Sequence, residues 1–520
     1  MKRRKIVIMR KINKPILYNV IIFILVLIFF TNVCPVIPFD GDDWYFSGAM
    51  REPIPIWKGF NPIKVLPEIL EPLGGYIGAY IIYPFTHDYV GAISFTQSFI
   101  ISLFVTALFY SFYKYVCGKF NKNEIEGLIY EAIFALTFFL LFKTKGRNSY
   151  YGFWALDLNC YFNYIIPGII NACIVLLMDR YDNFAKIFKT WGYVKKGIFI
   201  AAIYFAIFSS IQASIILSMY CIWKIIELII YLLKNKSKIN LKMLAKHTGI
   251  YFVELIIWIV SLIFEVNGNR AAQLSTESWL TFENIKSVLN SFKLLYKDIN
   301  KVLIVFLVIN IVIIFVNIIF YSKNKKEKKW KNLKIVGQNA IWVIVSFIYL
   351  FLLYLKAGKN YAMRVDATWA LVFYIVLFIN NCIIIKFELI PKLKIVFPLI
   401  FSLAIISTIS MNYRFEQSIF NYSIAKQIDN VIINQIIEAD RQGKMYIEVK
   451  VPKYKENQTN WPQPYNMAIW LQNTLYAHSI INNRLKIVFI PSNELYEEFY
   501  KRDKGTEEKY FDLERGKYVN

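Results

Sequence analysis

Residues 14–46, KPILYNVIIFILVLIFFTNVCPVIPFDGDDWYF, decide the fold. The run 16–33 is apolar and close to the roughly 20 residues that span a bilayer. It is preceded by the basic stretch MKRRKIVIMRKINK and followed by three carboxylates, Asp40, Asp42 and Asp43. No small-x-small cleavage pattern follows it, so it reads as a retained signal anchor, with the basic flank inside and DGDDWYF on the external face. Three acids within so short a stretch repel one another unless protonated, paired or facing a cation. Their presence therefore calls for a function.

The rest of the chain has the same character. It has 520 residues, 57% of them apolar and 18% aromatic, with a positive mean hydropathy, which excludes an ordinary soluble globular protein. The net charge of +24 is carried largely by lysines beside apolar segments. It reports topology and attraction to anionic membrane lipids rather than nucleic acid. The six cysteines show no metal-ligand spacing and no disulfide framework.

Apolar runs at 16–33, 90–113, 125–142, 161–178, 249–264, 302–320, 340–355, 368–385 and 395–411 each predict a span. The segment 197–233 predicts two, turning at SSIQAS. The expected fold class is an all-α polytopic membrane protein of about 11 transmembrane helices, residues 1–411, with a first external loop at 38–89. Within that loop, 75–85 is too short to span and reads as interfacial. An amphipathic helix is expected at 285–295. Residues 412–520 are mixed in composition and predict a small soluble α/β domain: helices at 415–439 and 465–481, strands at MYIEVKV and LKIVFIPS. An odd number of spans places this C-terminal domain on the extracytoplasmic side.

In that topology five polar patches meet the outer face: DGDDW, GRNSYYGFWALDLN, SIQAS, EVNGNR and KAGKNYAMRVD. The inner loops are plainly basic, so a site is expected outside. Asp40, Asp42 and Asp43 read either as a solvated acidic loop or as a base that takes a proton from an acceptor hydroxyl, with neighbours that orient it or bind a divalent cation. Arg147, Arg270 and Arg364 come from three different loops and can cap helices or together cradle a phosphate, with Lys356, Lys359 and Asn269 beside them. Trp44, Tyr150, Tyr151 and Trp154 either stack on a sugar or form an interfacial aromatic belt. Asp157 and Asn159, among the same aromatics, are substrate-binding candidates. Gln212 suits a helix–helix hydrogen bond, and His87, His247 and His478 form no cluster.

DGDDWYF after the first span, arginine-bearing outer loops and the overall layout resemble the GT-C superfamily of polytopic glycosyltransferases. NGNRA and WPQPYN are locally similar to its bacterial members that decorate cell-surface glycans. The resemblance implies an enzyme in the bacterial cytoplasmic membrane that moves a sugar from a polyprenyl-phosphate donor to a surface glycan or lipid acceptor, usually with inversion and generally without a metal. Carried over by position, Asp42 is the base and Asp43 or Asp40 supports it, three acids competing for one role. Two other readings stay open, a flippase or transporter of lipid-linked sugars and a polymerase of surface polysaccharide. The first lacks the internal repeats and paired broken helices expected of it, and the second lacks one large basic outer loop.

Overall fold

The computed structural model describes residues 14–38, 40–51, 61–142, 150–234, 241–268, 279–320, 326–389, 422–453, 467–502, 510–512 and 517–519. Arg147, Asn269, Arg270 and the expected span at 395–411 lie outside these residues.

The membrane part is built from helices α1 (Lys14–Ile28), α2 (Gly41–Gly48), α3 (Pro67–Ile77), α4 (Tyr83–Thr86), α5 (Tyr89–Lys119) and α6 (Glu124–Leu140). It continues with α7 (Leu158–Asp179), then α8 (Phe184–Thr190), α9 (Tyr193–Phe208), α10 (Ile211–Lys234) and α11 (Leu241–Val266). The last four are α12 (Phe282–Tyr296), α13 (Lys301–Phe320), α14 (Lys326–Ala357) and α15 (Trp369–Leu389).

Helices cover each expected span up to residue 385, but among the described residues six meet both the length and the hydropathy needed to cross a membrane. The number rises to seven if α12 and the start of α13, bent by 92° to one another, count as one broken span. Two of the other expected crossings fall short for a physical reason. With 17 and 16 residues, α6 and α9 are shorter than the roughly 20 that a bilayer core requires. The turn between α9 and α10 falls at Ser209–Ser210, within SSIQAS.

Among the described residues three π-helical turns interrupt the helices, at Phe29–Val33, Gly78–Ile82 and Tyr161–Ile165. Such turns cluster at functional positions because they re-aim side chains within an otherwise regular helix. Two of them bracket the acidic stretch, one closing the first span and one inside α7. Buried amides tie the spans together where no water can serve them. Asn381 Nδ2 donates to Tyr115 Oη and to Asn339 Oδ1, both at 3.2 Å. Asn380 Nδ2 reaches Thr137 Oγ1 at 3.3 Å.

The C-terminal residues form α16 (Tyr422–Arg441), β1 (Tyr446–Pro452), α17 (Met467–Ala477), β2 (Lys486–Ser492) and α18 (Asn493–Arg502), with a short β3 (Tyr510–Asp512) and β4 (Lys517–Val519). β1 and β2 pair in parallel, Tyr446 opposite Lys486, which requires the crossover that α17 supplies. β3 and β4 pair antiparallel.

This domain packs on α2. Thr474 Oγ1 donates to the Trp44 carbonyl, and the Tyr45 and Trp470 rings meet edge-on at 4.4 Å. Around this contact, Tyr80 Oη donates to the Ala477 carbonyl at 2.9 Å, Tyr89 Oη and His478 Nδ1 lie 2.7 Å apart, and Lys426 pairs with Asp88. Gly48 permits the approach, because a Cβ there would overlap Thr474 Oγ1 and stand 2.7 Å from its Cβ. The domain and the acidic stretch therefore share one face of the bundle.

Candidate functional site

The three aspartates of the acidic stretch have three different environments. Asp40 is the N-cap of α2, its Oδ1 accepting the backbone N–H of Asp42 at 3.0 Å and of Asp43 at 3.2 Å. This is the ordinary use of an Asp before a helix. Asp43 is fully buried and reaches across to α7, accepting the N–H of Leu158 at 3.3 Å and of Asn159 at 2.7 Å. Asp157, just before α7, accepts the N–H of Cys160 at 2.7 Å. Two carboxylates thus satisfy three of the four N–H groups that a helix start leaves open, where the helix dipole favours negative charge. Asp42 is exposed, and no hydrogen bond from its carboxylate is found among the described residues.

The cluster holds its protons tightly. Burial and then the neighbouring Asp157 push Asp40 up to about 7, against the pull of its two backbone N–H donors. Burial, followed by Asp157, Asp40 and Glu71, raises Asp43 well above the carboxylate range. Glu71, on α3, is raised well above its usual value by burial and by Asp157, Asp40 and Asp42. Both Glu71 carboxyl oxygens are buried without a hydrogen-bond partner among the described residues, consistent with a neutral acid. Asp157 is raised by burial and restrained by Arg364.

Arg364 anchors the other side. Its Nε and Nη2 grip Asp366 at 3.1 and 2.7 Å, a bidentate pair in which the Asp366 side chain is fully buried. Nη2 also donates to Cys160 Sγ at 2.8 Å. The guanidinium lies over the rings of Tyr164 and Tyr361, at 5.3 and 5.4 Å. Asp366 Oδ2 in turn accepts the Leu156 N–H at 3.3 Å, tying the loop before α7 to the loop before α15. Nη1 has no hydrogen bond among the described residues and is the part of this arginine open to an anion.

Tyr164 and Tyr361 also line a cavity of about 140 Å³ on this face. Four of the five polar patches, or residues flanking them, contribute to its wall: Asn163 from α7, Gln212 from α10, Glu265 from α11 and Lys356 from α14. Lys64, from the segment before α3, completes it. Asn163 Oδ1 is buried with no hydrogen-bond partner among the described residues. The cavity is smaller than the roughly 300 Å³ at which ligand pockets usually begin.

Several expected site residues are placed in the core. Trp44 and Tyr151 are fully buried and Trp154 is 5% exposed. Trp44 stacks on Tyr89, Tyr151 shares a 2.8 Å hydrogen bond with Tyr161, and Trp154 packs against Tyr150. None of the three lines the cavity. Asn159 receives the Asn163 side chain, and Lys359 is exposed on the loop after α14. No group of three His, Cys, Asp or Glu side chains converges as a metal-ligand set among the described residues. The Asp40 and Asp43 carboxylates are turned onto backbone N–H groups.

Sequence reasoning missed Glu71, Asp366, Lys64 and the two tyrosines. Glu71 had a readable signal, as an acid inside the apolar helix EILEPLGG. The Arg364–Asp366 pair was visible as R-x-D, but its burial was not.

The Asp40 environment predicts a pH effect. Its carboxyl titrates near 3.8 when unfolded and near 7 when folded. Over that interval the folded state binds the extra proton, so the stability from this group is full below the lower value and is lost as pH rises through the upper one. Asp40→Asn keeps the N-cap and removes the titration. The variant should lose less thermal stability than wild type between about pH 5 and about pH 8. Equal slopes in thermal unfolding of the detergent-purified proteins would refute the assignment.

No family model, curated protein or solved structure matches the chain.

Proposed function

We propose that the protein is a membrane glycosyltransferase that uses a polyprenyl-phosphate sugar on the outer face of an eleven-span bundle, with α2 and the C-terminal domain outside. The observation that carries this reading is the sorting of the three aspartates. Asp40 and Asp43 are spent on helix N-termini, which leaves Asp42 exposed on the same bundle face as the cavity.

In this mechanism Asp42 accepts the proton of an acceptor hydroxyl as its oxygen attacks the anomeric carbon. The bond from that carbon to the phosphate oxygen breaks, and the lipid phosphate leaves with the electron pair. In this reading the cations that meet that charge are Lys64 and Lys356, which line the cavity, and Arg364, whose guanidinium lies over Tyr164 and Tyr361. Lys359, exposed on the loop after α14, adds a further cation, and Arg147, Arg270 and Asn269, which lie outside the described residues, keep the phosphate-binding role expected from the sequence. The raised carboxyls of Asp43 and Glu71 keep negative charge low behind the leaving phosphate. No step needs a metal.

The test is surface-glycan composition in a strain lacking the protein and in the complemented strain. Loss of one sugar substituent supports the transferase. Shortened chains would instead make the protein a polymerase, and inward-facing lipid-linked precursor would make it a flippase.

A further inference from the structure

At the end of the bundle opposite α2 lies a larger crevice of about 630 Å³, lined from α10, α11, α14 and the turn after α7. α7 and α10 both run from the acidic site to this end, where their charged residues interlock. Asp179 accepts Lys119 at 3.0 Å and Lys224 at 3.4 Å. Glu227 holds Lys224 at 3.3 Å and also pairs with Lys334.

We propose that this crevice binds the phosphate head group of an anionic membrane phospholipid. The lining carries Lys224, Lys234 and Lys334 against Asp182 and Glu227. Glu227 is already engaged by two of the lysines, while Lys234 is exposed and has no ion pair among the described residues. In sequence, the stretches that adjoin the two rim lysines are strongly basic. KNKSKINLKMLAKH after Tyr231–Leu233 contains no acid, and KNKKEKKWKNLK before Ile335 contains a single one.

Beside these charges, Ile226, Ile230 and Tyr231 stand 42%, 45% and 62% exposed on α10 and line the same crevice. A free phosphate would satisfy the lysines but make no use of this apolar row. A phospholipid covers both, its head on the lysines and its chains along the row. The size falls in the roughly 300–1,000 Å³ range of ligand sites.

The experiment uses the full-length detergent-purified protein titrated with palmitoyl-oleoyl phosphatidylglycerol or the matching phosphatidylcholine and read by native mass spectrometry. Wild type should hold one phosphatidylglycerol in preference to phosphatidylcholine. Lys234→Gln should weaken that lipid about fivefold, and Lys234→Gln with Lys334→Gln about thirtyfold, from about one charge contact per lysine. Lys186→Gln, on exposed α8 at the same end and outside the crevice, should leave it unchanged. Lys234 makes no ion pair among the described residues, so its single variant keeps the test valid if loss of Lys334 disturbs folding. Equal affinity of Lys234→Gln and wild type, equal weakening by Lys186→Gln, or displacement of the lipid by inorganic phosphate would each overturn the proposal.

Discussion

Asp42→Asn is expected to abolish glycan modification while leaving the protein folded and inserted. The side chain is exposed and makes no hydrogen bond among the described residues, so its amide replacement costs the fold little. Loss of a positioned general base removes about 10²–10⁴-fold in rate, enough to erase the modified glycan from a surface profile. Asp43→Ala would lower activity by a different route. It leaves the Leu158 and Asn159 N–H groups of α7 without their acceptor, at a cost of about 1–3 kcal/mol for each buried group left unpaired. The two variants are separated by measuring glycan composition together with thermal unfolding of the purified proteins. Full modification by Asp42→Asn would remove Asp42 as the base.

Arg364→Leu is expected to destabilise the protein by about 3–5 kcal/mol, because it leaves the fully buried Asp366 carboxylate without its bidentate partner. The damage should spread to the site, since Asp366 holds the Leu156 N–H and Arg364 restrains the pKa of Asp157. Arg364→Lys supplies a charge without the fork and should recover only part of the loss. Arg364→Leu combined with Asp366→Leu removes both charges and should recover most of the stability while remaining inactive. Unfolding temperature and membrane yield report the first effect, and glycan composition the second. A wild-type melting temperature for Arg364→Leu would show that the pair contributes nothing to the fold.

What could be read from the sequence follows from the range of the interactions involved. Apolar runs and basic flanks are properties of neighbouring residues, so helices up to 385, the break at Ser209–Ser210 and the strands of the tail were legible in one dimension. The crossing count was less so, because α6 and α9 are too short to qualify by length. The acidic stretch announced a site, but its three aspartates look equivalent as letters. Their sorting depends on α7 arriving from more than a hundred positions later, so that Asp43 meets Leu158 and Asn159 and Asp42 does not.

The aromatics show the same limit. Trp44, Tyr151 and Trp154 suit a sugar face by type, yet packing against Tyr89, Tyr161 and Tyr150 buries them. By itself the sequence determined a helical membrane protein with an acidic loop after its first span and a mixed C-terminal domain, because hydropathy and charge act locally along the chain. Only the tertiary structure decided that this domain clamps α2, that Glu71 and Asp366 are buried with the cluster, and that Asp42 is left open. Those outcomes depend on which distant N–H groups, rings and charges come within about 3–6 Å of each side chain, and no local pattern encodes that.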